Sequence, residues 1–213
     1  MAIKNKYKDF ESKNLAKSLD LIKSKTLDAD QQKLYDYLIE TKSSWLKMSG
    51  VQDSAGAEWL IGPFNVFLYG PEMARAFNTW AEKERAESTL SDDLRTLIIN
   101  TIGINWNTSR RIDAEDNDLL AAGASTAAEV STPVAAILTG EALPELNETE
   151  AIVYKFTSSL VNKKNVHDDL YNEATSILDE KTVAEMLNLI GLYMAVAALL
   201  NEFAVPQSVP ELV

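Results

Sequence analysis

The sequence predicts an all-α protein, a single helical domain of about eight helices. Three observations carry this expectation. Apolar residues recur at helical spacing along almost the whole chain. No alternating apolar–polar run of strand length interrupts them. Helix-start chemistry also recurs, in Asp28 with Gln31, in Pro71 after Gly70, in Ser91, and in Asn147 with Glu150.

The elements follow in chain order. Asp28 N-caps a first helix whose apolar face is Leu34, Leu38 and Trp45. A loop from about Ser49 to Gly62 ends in Gly62-Pro63-Phe64-Asn65. Pro71 opens the next helix, with Met73, Phe77 and Trp80 as its expected buried face. Ser91 caps another, carrying Leu94, Leu97, Ile98 and Ile102. A polar helix is expected after Trp106, closing at Gly123. Thr132-Pro133 restarts the backbone between Ser125 and Gly140. Asn147 and Glu150 form a capping box ahead of Ile152, Val153, Phe156 and Leu160. His167-Asp168-Asp169 opens a further helix, where acidic residues suit the positive end of the dipole. The last helix, near Lys181 to Phe203, is apolar on almost every side. Leu90-Ser91 and Leu178-Asp179 form a weak internal echo, each a leucine before a polar helix-start residue.

Composition narrows the function. The chain has 213 residues, no cysteine and one histidine, His167. Thiolate metal sites, Fe–S clusters, disulfides and cysteine nucleophiles are therefore excluded. A multi-histidine metal site and a serine triad are not expected, and no metal or cofactor is. The net charge is −12. Such a chain repels phosphate backbones, so no nucleic-acid partner is expected. The seven lysines of residues 1–25 stand against Asp9, Glu11 and Asp20. This gives a lysine-rich N-terminal arm, read either as a solvated segment or as a contact for an anionic surface. Residues 26–213 form the helical domain. The run Leu189–Leu200 is shorter than the ~20 apolar residues of a membrane span. It reads as a buried helix, and the expected setting is cytoplasmic, with no membrane partner.

The most informative stretch is Trp106-Asn107-Thr108-Ser109-Arg110-Arg111-Ile112-Asp113-Ala114-Glu115. It follows Gly62-Pro63-Phe64-Asn65, Leu68 and Pro71-Glu72. It precedes Leu189-Ile190-Gly191, Tyr193, Leu200-Asn201, Phe203 and Val205-Pro206. In this order and spacing the chain resembles the carboxymuconolactone decarboxylase family, which shares its fold with alkyl hydroperoxidase D. The resemblance covers roughly Leu27 to Pro206 and is nearest the cysteine-free branch. It implies a cofactor-free lyase or related enzyme acting on a small organic acid or lactone. It also implies a homo-oligomer, whether dimer, trimer or hexamer. Members often carry a glutamate and a histidine four residues apart after Trp-Asn. This chain has Arg111 and Glu115 there. Peroxidase-type members use a Cys-x-x-Cys on that helix, a relay this chain cannot form.

Arg111 and Glu115, at i and i+4, share a helix face. They are the catalytic candidates: Arg111 or Arg110 holds a substrate carboxylate, and Glu115 moves a proton. The other reading is an ordinary surface salt bridge. Asn65 and Asn107 read either as amide donors aimed into a pocket or as helix caps. Phe64, Trp106 and Tyr193 are expected in pocket wall and core. His167 reads as a surface helix start. Two further functions stay open: a catalytically silent helical oligomer that binds a small ligand, and a hydroperoxidase, which the missing thiol disfavours.

Overall fold

A computed structural model describes residues 22–41, 60, 63–106 and 146–202. Among the described residues the chain is all-α. It has a 3₁₀ turn at Ser24–Thr26 and seven α-helices, with no strand. They are α1 (Ala29–Thr41), α2 (Pro63–Phe67), α3 (Pro71–Glu87), α4 (Asp92–Asn105), α5 (Glu148–Lys163), α6 (Asp168–Ile177) and α7 (Glu180–Glu202). Trp45 and the expected helices between Asn107 and Gly140 lie outside the described residues. The chain divides into two compact units, Met1–Arg75 with Ala198–Val213, and Ala76–Ala197.

In the first unit α1 starts where its cap chemistry requires. Asp28 Oδ1 accepts the Gln31 N–H at 2.9 Å, and Gln31 Oε1 accepts the Asp28 N–H at 2.9 Å. This reciprocal pair satisfies two donors that a bare helix start leaves open. The other end of the Gln31 amide donates to the Leu68 carbonyl at 3.1 Å, tying α1 to the turn after α2. Leu34 and Leu38, one turn apart, are fully buried. Leu60, Phe64, Phe67 and Leu68 complete this small core, Phe64 and Phe67 packing edge to face with centroids 6.0 Å apart. The Arg75 guanidinium lies 5.9 Å from the Tyr37 ring centroid.

The second unit is built around α4. From Arg95 to Gly103 every residue is buried, so this helix shows no face to solvent. Ser91 begins it, its hydroxyl accepting from the Leu94 N–H at 3.3 Å. Helix α5 packs along it, and the two C-terminal ends meet where Asn162 Nδ2 donates to Asn105 Oδ1 at 2.6 Å. Both halves of the Asn147–Glu150 capping box are present at 2.9 Å. Lys164 ends α5 in the left-handed region at φ 58°, its N–H returning to the Leu160 carbonyl. The echoed Leu178-Asp179 starts α7 as Leu90-Ser91 starts α4. Each leucine is buried, and Asp179 Oδ1 accepts from the Thr182 N–H at 2.7 Å.

Two apolar faces differ from expectation. On α3 the buried residues are Ala74, Asn78 and Glu84, while Met73 is 77% and Trp80 40% exposed. Phe77 is half-buried, edge to face with Trp80 at 6.1 Å. Glu84, on the same helical line as Met73, Phe77 and Trp80, is buried because it has a buried cationic partner, which a pattern of hydrophobicity does not register. On α7, Val183, Met186, Leu189, Ile190, Tyr193 and Val196 are buried. Ala184, Leu187, Asn188 and Gly191 face outward. The stretch Glu180–Leu199 is long and apolar enough to cross a membrane by length and composition, and 44% of it is buried within the chain.

Because Asn147 closes both arms of its box, Asn147→Ala should destabilise the protein by about 1 kcal/mol. Urea unfolding with an unchanged m-value is the measurement.

Candidate functional site

Of the expected site residues, Phe64, Asn65, Trp106 and Tyr193 are described. Asn107, Arg110, Arg111 and Glu115 lie outside the described residues. Asn65, on α2, is 1% exposed and has both amide atoms engaged. Its Oδ1 accepts from the Ile22 N–H and its Nδ2 donates to the Ile22 carbonyl, each at 3.0 Å. The side chain thus mimics a backbone partner for a residue 43 positions earlier, a role distinct from both the cap and the free donor. Phe64 belongs to the core of the first unit. Trp106, half-buried, follows α4 and returns its N–H to the Ile102 carbonyl at 2.9 Å.

Tyr193 is 3% exposed on the buried side of α7. Burial pushes its hydroxyl far above the usual phenol range, with Arg95 and Glu84 close enough to act on it electrostatically. It is therefore a neutral O–H at physiological pH. The residues beside it are ones that sequence reasoning missed. Arg95 on α4 and Glu84 on α3 form a two-pronged pair, Nη1 to Oε1 at 2.7 Å and Nη2 to Oε2 at 2.6 Å. Their side chains are 3% and 4% exposed. Burial disfavours the charged guanidinium, but the bonds and charge of Glu84 more than offset this and hold Arg95 protonated. Arg95 is the lone cation in the run Leu94–Ile99, but its partner Glu84 stands on another helix, which no local pattern signals.

The second unit buries further polar atoms: Arg95 Nε, Thr96 Oγ1 and Asn100 Nδ2 on α4, and Thr157 Oγ1 and Ser158 Oγ on α5, have no hydrogen-bond partner among the described residues. Thr96 and Asn100 lie one turn apart and share a face. Such groups each cost about 1–3 kcal/mol unless something polar meets them.

A third polar centre sits at the surface end of the same unit. Glu185 Oε2 accepts from the Thr89 N–H at 2.8 Å, the Thr89 hydroxyl at 2.9 Å and the Ser88 hydroxyl at 3.2 Å. One carboxylate on α7 thereby holds the α3–α4 connection. Burial pushes its carboxyl up, but the bonds from Thr89 and the charge of Lys181 outweigh this and leave it below the usual range. A cleft of about 240 Å³ opens here, lined by Trp80, Lys83, Glu84, Glu87, Glu185 and Asn188. His167 stands exposed at the start of α6 with no side-chain capping bond, in an open depression with Asn165 and Asp168. Among the described residues no group of three or more acidic or histidine side chains is arranged to hold a metal.

Arg95→Ala leaves Glu84 buried and uncompensated, and should cost about 3–5 kcal/mol in chemical denaturation. The double change Glu84→Leu with Arg95→Met should cost less than Arg95→Ala, because it removes both charges. For Glu185 the folded pKa lies below its ordinary 4.5. Its contribution is therefore complete above that value and is lost as pH falls through the lower, folded pKa. Glu185→Gln should flatten the acid limb of a stability–pH curve while leaving the slope at neutral pH unchanged.

No protein-family model matches the chain, and no curated protein matches it either.

Proposed function

We propose that the protein is a cofactor-free enzyme for a small organic acid or lactone, of the lyase type implied by its resemblance to the carboxymuconolactone decarboxylase family. The observation that carries this reading is the polar interior of the second unit. A closed Glu84–Arg95 pair, the neutral hydroxyl of Tyr193, and the unpartnered donors of Asn100 and Thr96 lie within a helical core. A purely structural core has little use for that many polar groups, since each is expensive to bury. A small acid offers acceptor oxygens to such donors. The chemistry itself falls to the helix expected after Trp106. Arg111 or Arg110 anchors a carboxylate, and Glu115 delivers or removes the proton at the carbon that bears the developing negative charge.

A second reading, a catalytically silent helical oligomer, draws on one observation. Asn65, an expected donor to the substrate, has both amide atoms engaged by Ile22. One experiment separates the two. A panel of small lactones and unsaturated acids is incubated with purified protein, following CO₂ release and loss of ultraviolet absorbance. Turnover that falls about 10²-fold or more in Glu115→Gln, with Arg111→Ala raising KM, supports the enzyme. No turnover across the panel, with no shift in thermal unfolding, leaves the silent reading in place.

A further inference from the structure

We infer that Thr96 and Asn100 on α4 together bind one ordered water inside the second unit. Thr96 is fully buried and Asn100 is 3% exposed. Thr96 Oγ1 and Asn100 Nδ2 have no hydrogen-bond partner among the described residues. Each passes over a bond that its own helix offers, the one to the carbonyl four residues back. Other side chains of these types make that bond. On α4 itself the Thr101 hydroxyl donates to the Leu97 carbonyl at 2.7 Å, and the Asn105 amide donates to the Thr101 carbonyl at 2.7 Å. Thr41 on α1 does the same at 2.8 Å, Thr175 on α6 at 3.0 Å and Asn188 on α7 at 2.9 Å. Thr96 and Asn100 are turned away from their own ladder, so their polar atoms face a partner beside the helix.

Spacing and chemistry select water. At i and i+4 the two side chains share a face, with Cβ atoms about 5–6 Å apart. The two polar atoms are not bonded to each other. Two hydrogen bonds of about 2.9 Å meeting near the tetrahedral angle span about 4.7 Å, a gap that one water bridges. Asn100 Nδ2 only donates, whereas Thr96 Oγ1 donates or accepts. The water accepts from the amide and donates to the hydroxyl oxygen. Its second hydrogen is left for the spare lone pair of the Thr96 carbonyl, which lies between the two side chains. This gives the two to four bonds that a buried water makes. A metal ion does not fit, because the hydrogens of an amide nitrogen repel a cation. Gly103, three residues after Asn100 on the same face, adds no side chain to fill the place. Thr157 and Ser158 also carry unpartnered hydroxyls, but neither has an unpartnered neighbour one turn away, so no such bridge forms on α5. The site stands apart from the enzymatic reading. A substrate oxygen that reached these donors would displace the water, and a chain without catalysis keeps it.

The test is made on the full chain. A crystal structure fine enough to place waters should show one at about 2.7–3.2 Å from both Thr96 Oγ1 and Asn100 Nδ2. In solution, oxygen-17 relaxation dispersion counts the waters held inside the protein. Thr96→Val keeps the shape of the side chain and loses the hydroxyl, so it should lower that count by one. Thr96→Ser keeps the hydroxyl and should keep the count. If Thr96→Val fails to fold, the wild-type density decides. A protein atom, a metal ion or an organic molecule in that place overturns the proposal. So does a direct bond between the two side chains, or a count unchanged in Thr96→Val. Neither measurement follows turnover, so failure here and failure of the enzymatic reading are told apart.

Discussion

The second unit depends on the bond between Arg95 and Glu84. Helix α4 is covered on all sides from Arg95 to Gly103, so a charge on that stretch must bring its own partner. Arg95 meets that demand only because α3 presents Glu84 at the right height, and the two-pronged geometry satisfies both carboxylate oxygens. The constraint propagates outward. Glu84 must face inward, and it is buried at the end of α3 next to the α3–α4 connection. Trp80, one turn before Glu84 on the same face, lines the cleft beside it and stays 40% exposed.

Glu185 fixes the same arrangement from the other side. The segment Ser88–Ser91 joins α3 to α4 and sets how Glu84 approaches Arg95. Three of its donors converge on one carboxylate oxygen of α7. A fourth group, Lys181, approaches the second oxygen at 3.4 Å. The connection is short, so fixing it limits the freedom of both helices that carry the pair. The two carboxylates serve opposite needs. Glu84 is matched by one buried cation, whereas Glu185 gathers neutral donors at the surface, where water and salt weaken a bare ion pair.

Sequence patterns disclosed the fold at its helix starts. Asp28 with Gln31, Ser91, Asn147 with Glu150, and Pro71 after Gly70 all act through bonds spanning three or four residues. Such bonds are decided locally, so the chain states them openly. The apolar positions of α1 and α5 were legible for the same reason, because their burial follows their periodicity, whereas α4 is buried on every side from Arg95 to Gly103. On α3 the burial of Glu84 was not legible, because it depends on a partner eleven residues away on another helix. Asn65 was legible as a site of interest and illegible in its role, since its partner Ile22 is 43 residues distant and offers only backbone atoms. The polar centre of the second unit was hidden in the same way: Arg95 looks like a surface charge until every side of α4 is known to be covered.

Helix α7 shows why composition alone could not separate core from outside. Its apolar residues spread around the whole circumference, a pattern that fits a helix buried by its own chain, by another copy or by lipid. The structure divides them. The side with Val183, Met186, Ile190 and Tyr193 closes the interior that holds the ion pair. The opposite side is made of alanine, glycine and one leucine, interrupted by Asn188. Small residues there leave room for close approach of a neighbouring backbone, and Trp80 overlying Gly191 uses part of that room already. The same helix therefore closes the interior with one side and presents small residues, one leucine and one amide on the other.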